Sequence, residues 1–335
     1  MNRKIYVVTK KKKKKKKFRY FILAPLLLVL LTGTAYVASL YSKAEEVANS
    51  AYESLDGTKL DEATVSKTVK NVSVLFIGID DSQTRGFNDT TRSDALMLAT
   101  FNKEDNSVKL LSIPRDSYVY VPETDDYTKI NHAYAYGGTK ATIETVENLL
   151  ELDVDYYVRM NFYAFIDVVD ALGGVKVDVP YDLVEKNSSD LETIQLKQGF
   201  QTLNGEEALA FARTRKMDND MERGKRQMEL IEAIASKAMS AQSLTKYSDV
   251  LEAIGDNMKT DLTFKQMKMY LSYFLTHSDL SIESVQLQGG DSTIDGVYYY
   301  ELDENELEAT KNSLQANLDG TLLTDEETAA SNEIN

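Results

Sequence analysis

The chain has 335 residues, with 38 lysines and arginines against 53 aspartates and glutamates, two histidines and no cysteine. Residues 1–41 hold eleven of the 38 basic side chains and no acidic one, leaving 27 basic against 53 acidic residues in 42–335, a balance of −26. That balance argues against nucleic-acid binding by the main domain; the missing cysteine excludes disulfides and a lipoprotein anchor, and two distant histidines give a zinc site no support.

Lys10–Lys17 is an unbroken basic block, and Phe21–Leu40 after it is uncharged. Twenty residues at about 1.5 Å each span roughly the 30 Å core of a bilayer, and Pro25 is tolerable in such a helix. Residues 1–20 therefore read as a basic cytoplasmic tail, 21–41 as a transmembrane helix, and the rest of the chain as lying outside the cell membrane. The run is long for a signal core and ends in no clear cleavage site, so an uncleaved anchor is preferred to a signal peptide. Residues 42–70 are polar and helix-prone, a stalk or linker.

From Asn71 the texture changes. Val72–Ile79 is a near-continuous apolar run, the pattern of a strand buried on both faces. Short apolar runs follow at Ala95–Phe101, Val108–Ile113, Tyr156–Met160 and Val175–Val179. Helix-like segments lie between them at Thr139–Leu150 and Phe162–Leu172, the second closed by Gly173 and Gly174, while Asn131 and His132 read as loop. Leu203–Glu206 reads as a turn into a helix from Glu206 to about Phe211. A longer helix is expected from Glu222 to Met239, residues 245–275 look helical, and 282–302 return one or two strands to the sheet. Strands alternating with helices predict an α/β fold, an α-β-α layered domain with a central mixed sheet over 71–302. The tail 303–335 is acidic with a single lysine, its first half helical and its end disordered.

Six arginines stand out against the acidic background: Arg92, Arg115, Arg213, Arg215, Arg223 and Arg226. Guanidinium forks match phosphate geometry, so converging arginines point to a pyrophosphate or polyphosphate ligand. Asp80 and Asp81 follow the first strand, where open α/β sheets place ligands. Arg92 and Asp94 are two apart and share one face if extended. Arg115 follows the third strand, at the same edge if that strand is parallel to the first. Arg213 and Arg215 aim at one target only if extended, and Arg223 and Gln227 stack on one helix face. Taken singly, each has a plainer reading: a solvated ion pair for Arg92 and Asp94, an edge strand for Arg213 and Arg215, a turn for Asp80 and Asp81. Asp116 reads as an orienting or turn residue and His277 as a surface group. There is no Walker A loop, nucleophile elbow or dinucleotide-binding fingerprint.

Taken in order, VLFIGID, RSDALML, SIPRD, KINHAYAYGG, DALGGV, LNGEEALAFARTRK and RGKRQ resemble the LytR-CpsA-Psr family, with core motifs over 72–235. The resemblance implies a membrane-anchored extracellular enzyme that moves a glycopolymer, of teichoic acid or capsular polysaccharide type, from a polyprenyl-pyrophosphate carrier to peptidoglycan. It implies pyrophosphate binding by Arg92, Arg115, Arg213, Arg215 and Arg223 with Gln227 beside them. It also implies catalytic roles for Asp80, Asp94, Arg92 and Arg115, and Mg2+ held by Asp80 and Asp94. The family often has glycine where this chain has Glu222. Two other activities share the same arginines: a polyprenyl-pyrophosphate pyrophosphatase, and a non-catalytic carrier-lipid binding protein.

Overall fold

The computed structural model describes residues 35–57, 68–79, 91–214, 220–238, 247–277 and 280–320. The lysine block, most of the apolar run 21–40, Asp80, Asp81, Arg215 and the acidic end of the chain lie outside the described residues. Among the described residues no helix is long and apolar enough to cross a membrane. The chain divides into two compact units, 1–45 and 46–335, and the described part of the first is helical.

The second unit is built on a six-stranded mixed sheet in the order β11-β6-β1-β2-β3-β12. Its strands are β1 (Val72–Ile79), β2 (Ser93–Asn102), β3 (Ser107–Ile113), β6 (Tyr156–Asn161), β11 (Met258–Thr260) and β12 (Ser281–Gln286). β2 runs antiparallel to both β1 and β3, whereas β6 is parallel to β1 and β12 to β3. The carboxyl ends of β1, β3, β6 and β12 and the amino end of β2 therefore meet at one edge. The parallel relation on which the placement of Arg115 depended is present.

Alternation along the strands sorts side chains to two faces. Leu75, Ile77, Leu96, Leu98, Leu111 and Ile113 pack with Ile143, Val146 and Leu150 of α2 (His132–Leu150) and Leu314 of α8 (Glu304–Asp319). On the other face Met97 and Leu110 meet Met228 of α5 (Asp220–Ala238), with Phe76, Ala99 and Ile231 only half-buried beside them. Phe101 on β2 stacks edge-on against Tyr270, Tyr273 and Phe274 of α7 (Phe264–Thr276). β1 is thus sealed on one face and half-open on the other, where burial on both faces was expected, because the α5 layer leaves Val74 and Phe76 partly accessible.

A second core joins α3 (Phe162–Ala171), α4 (Gly205–Arg213) and the strands β7 (Val175–Val179) and β10 (Gly199–Leu203), through Val169, Val175, Leu203, Ala208, Phe211 and Leu230. β7 pairs with β10 in its own two-stranded sheet. Gly205 permits the α3–α4 approach, since a Cβ there would lie 2.7 Å from the Ile166 Cα. The Gly205 amide donates to Asp170 Oδ1 at 2.7 Å, and Asn204 and Glu207 close a reciprocal cap around it.

The region 245–275 holds α6 (Tyr247–Ile254), β11 and α7. A three-residue strand has too little periodicity to be legible, and it is fixed by partners far away in the chain. Thr260 on β11 bridges Tyr52, and its carbonyl accepts from the Glu53 amide at 2.8 Å. Residues 282–302 provide β12 to the main sheet and a separate hairpin of β13 (Gly289–Ile294) and β14 (Val297–Leu302). The remaining strands form the hairpins β4 (Tyr118–Val121) with β5 (Asp126–Lys129), and β8 (Leu183–Lys186) with β9 (Thr193–Leu196).

Candidate functional site at the carboxyl edge of the sheet

β2 enters the edge through a bulge. Gly78 pairs with Ala95 but Ile79 pairs with Ser93, so Asp94 is the extra residue. A bulge re-aims its side chain and breaks the period of two. The shared face expected of Arg92 and Asp94 therefore does not follow from their spacing. Arg92 is exposed, while Asp94 is drawn in and accepts a hydrogen bond from Arg115 Nη1.

Arg115 follows β3 through Pro114, and its backbone is held independently of its side chain: its carbonyl accepts from the Asn131 amide at 3.2 Å. Asp116, 8% exposed in its side chain, lies 3.7 Å from Arg115 Nε and 3.0 Å from Lys129 Nζ. Asp116, read from sequence as an orienting or turn residue, lies in the turn after β3 and pairs with Arg115, and Lys129, which sequence reading passed over inside KINHAYAYGG, is its second cation. Asn131 and His132 open α2 instead of lying in a loop. Gly137 and Gly138 kink that helix, and a pair of glycines in mid-segment hid its first turn.

His132 Nδ1 is 2.9 Å from Thr128 Oγ1. Burial pulls its pKa below the usual histidine value, and the Arg92 and Lys129 charges add to this against the opposing pull of Asp116. Because the folded pKa lies below the unfolded one of about 6.5, the contribution to stability is full above that pH. It is lost as pH falls through the folded pKa. Wild-type protein is expected to show a falling urea midpoint from pH 7 to 5, and His132→Gln a shallower fall; parallel pH profiles would refute this.

Arg213 ends α4, and Thr214 after it is extended at φ −60°, ψ 141°. The edge-strand reading is therefore replaced by a helix terminus, and the partner position Arg215 is outside the described residues. The Arg213 guanidinium sits over the Phe162 ring at 5.4 Å, at the end of β6, and its Nη2 is 3.8 Å from Asp190 Oδ1. Arg213 Nη1 is buried with no hydrogen-bond acceptor among the described residues, as is Arg115 Nε. Buried donors of this kind are costly unless an acceptor arrives.

On α5, a Cβ at Gly224 would lie 2.6 Å from Ser112 Oγ, so glycine in RGKRQ lets the helix press on the end of β3. This brings Arg223, 5% exposed, to the same edge. Glu222, where glycine is frequent in the family, is already helical and pairs with Lys225 at 2.6 Å. Gln227 donates to the Ala212 carbonyl at 3.3 Å. Arg226 has a different role from its neighbours. It is 4% exposed and donates from Nε to the Phe211 carbonyl at 3.0 Å and from Nη2 to the Thr214 carbonyl, locking α5 to the end of α4. His277 is at the surface, stacked on Tyr273.

The edge thus gathers Asp94 and Arg115 from the central strands, Arg213 from α4, Arg223 from α5 and the exposed Arg92. The family model described as the LytR_cpsA_psr family matches residues 36–316. The chain is 45% identical over 249 residues to the polyisoprenyl-teichoic acid–peptidoglycan teichoic acid transferase TagT of Bacillus subtilis, covering 73% of this chain and 76% of that protein. It is 37% identical to TagU of the same organism, over 88% of this chain and 93% of that one. A solved structure of TagT with bound octaprenyl pyrophosphate lipid superposes with a TM-score of 0.59 at 38% identity, over 78% of this chain and 93% of that chain. Matching motifs, fold and sequence together, the chain belongs to the LytR-CpsA-Psr family.

Proposed function

We propose that the protein transfers a teichoic-acid-type glycopolymer from a polyprenyl-pyrophosphate carrier to peptidoglycan. The observation that carries this reading is the pair of buried guanidinium nitrogens, Arg115 Nε and Arg213 Nη1, that have no hydrogen-bond acceptor among the described residues, at the edge where Asp94 and Arg223 also converge. A pyrophosphate supplies oxygens for such donors. It also explains how an anion is held by an ectodomain of −26, since charge-assisted bonds contribute roughly 1.5–3 kcal/mol each. Relatives named as teichoic acid transferases, one of them bound to octaprenyl pyrophosphate, support the same ligand. The half-buried Phe76, Ala99 and Ile231 between sheet and α5 suit the prenyl chain, at about 0.8 kcal/mol per methylene buried.

In this reading an acceptor hydroxyl attacks the phosphorus on the glycopolymer side, its proton passing to Asp80 or Asp94, and polyprenyl phosphate leaves. Arg92, Arg115, Arg213, Arg215 and Arg223 neutralise the charge that grows on the phosphate oxygens, with Gln227 beside them. Asp94 orients Arg115, and Asp116 steadies it from the other side. Asp94, the described carboxylate of the pair, offers oxygen donors at the edge, and magnesium takes one or two carboxylates and completes its shell with substrate phosphates. Asp94 and Asp80 would hold Mg2+, which when bound supplies Lewis-acid stabilisation of phosphate charge. Residues 21–41 would anchor the domain outside the membrane that carries the lipid substrate.

The test uses full-length protein in detergent with a lipid-linked pyrophosphate saccharide, magnesium and peptidoglycan fragments. Sugar on the acceptor with release of polyprenyl phosphate is expected. Lipid release without acceptor labelling would replace transfer by hydrolysis, and binding without either product would leave a carrier-binding protein.

A further inference from the structure

Two hairpins beside the site present an aromatic face that the transfer mechanism does not use. In β4 and β5 the period of two sends Val119 and Val121 into the core and Tyr118 and Tyr120 outward, opposite Lys129 and Tyr127. Tyr118 packs against Tyr127 at 5.5 Å and against Tyr299 of β14 at 4.8 Å between ring centres. Lys129 Nζ lies 5.4 Å and 5.7 Å from the Tyr298 and Tyr299 ring centres while its ammonium reaches Asp116. The second hairpin is tied to the reaction edge as well, because the Tyr300 amide donates to the Asp116 carbonyl at 2.9 Å. Tyr127 and Tyr298 remain 55% and 41% exposed.

Aromatic side chains exposed as a contiguous group, rather than scattered singly, mark binding surfaces. The rings are fixed in place: the Tyr120 hydroxyl donates to Asp125 and the Tyr298 hydroxyl to Asp291, at 2.7 and 2.8 Å. These carboxylates, with Asp126, give the face an acidic rim. A polyanionic glycopolymer is repelled there. A neutral sugar is not, and its rings match a tyrosine platform, with C–H faces for the aromatic planes and hydroxyls for the polar rim.

We propose that the tyrosine face of the β4–β5 and β13–β14 hairpins binds the neutral glycan rings of the peptidoglycan acceptor, and through Lys129 and Asp116 aligns that strand with Arg115. The proposal rests on the transferase reading and assigns it an acceptor subsite. Full-length protein in detergent is titrated with an N-acetylglucosamine tetramer and, separately, with octaprenyl pyrophosphate. The double variant Tyr127→Ala/Tyr298→Ala is expected to bind the tetramer roughly tenfold more weakly, to keep octaprenyl pyrophosphate affinity, and to raise KM for the acceptor with kcat unchanged. The double Phe variant, which keeps the rings, should bind the tetramer like wild type. No tetramer binding by wild type, equal binding by the Ala variant, or displacement of the tetramer by a poly(glycerol phosphate) oligomer would each overturn the proposal. Failure of octaprenyl pyrophosphate to bind wild type would instead overturn the carrier reading, and the tetramer titration registers the two failures separately.

Discussion

Arg115→Ala is expected to lower glycopolymer transfer by about 10²–10³-fold, the range typical of removing one preorganised donor from a developing oxyanion. The fold should survive. The side chain is 28% exposed, Asp94 is 21% exposed and can rehydrate once its partner is gone, and the carbonyl bond to Asn131 belongs to the backbone. β3 is anchored short of the edge by Leu111 and Ile113, both buried in the main core. Arg115→Lys is the informative control: a point charge replaces a fork, so partial recovery would assign the effect to charge and none would assign it to bidentate geometry. Thermal unfolding within a few degrees of wild type alongside lost transfer is the expected pair of results. Normal turnover in Arg115→Ala would remove Arg115 from the mechanism.

What the chain reveals of itself follows from which features are local. Val72–Ile79 and Val175–Val179 are legible to the residue, the first as a long apolar run and the second as three valines alternating with exposed Lys176 and Asp178. Sheet membership was not, since β7 pairs with β10 through contacts that no local pattern encodes. β11 escaped for the same reason, and the start of α2 was masked by Gly137 and Gly138, where tertiary packing overrides propensity. At the site, residue types were readable and conformations were not. The spacing of Arg92 and Asp94 suggested one face, and a bulge changed that. Arg213 and Arg215 suggested an extended pair, and Arg213 proved to end a helix. Burial of a cation is likewise invisible in sequence: Arg223 and Arg226, three apart, look alike until their partners are known. The placement of Asp80 and Arg215 lies outside the described residues.

That last distinction yields the largest expected effect on stability. Arg226→Ala should destabilise the domain by about 2–5 kcal/mol, at about 1–3 kcal/mol for each buried acceptor left unsatisfied, because it removes a nearly buried guanidinium that satisfies the carbonyls of Phe211 and Thr214. Both residues are themselves buried, at 0% and 1% exposure, so water cannot easily replace the lost donors. Arg226→Met restores most of the stem volume over the Phe211 ring without the hydrogen bonds. It should therefore recover only part of the loss. Urea midpoints of the two variants measure this split, and a change within about 0.5 kcal/mol for Arg226→Ala would return Arg226 to the ranks of surface residues. The consequence reaches the carboxyl edge of the sheet: α4 ends at Arg213 and α5, which begins at Asp220, carries Arg223 in its first turn, so the Arg226 lock sets the relative position of two arginines proposed to bind the pyrophosphate. Transfer would be lost in both Arg115→Ala and Arg226→Ala, but only in the second should the loss track the unfolded fraction and be relieved by lowering the temperature.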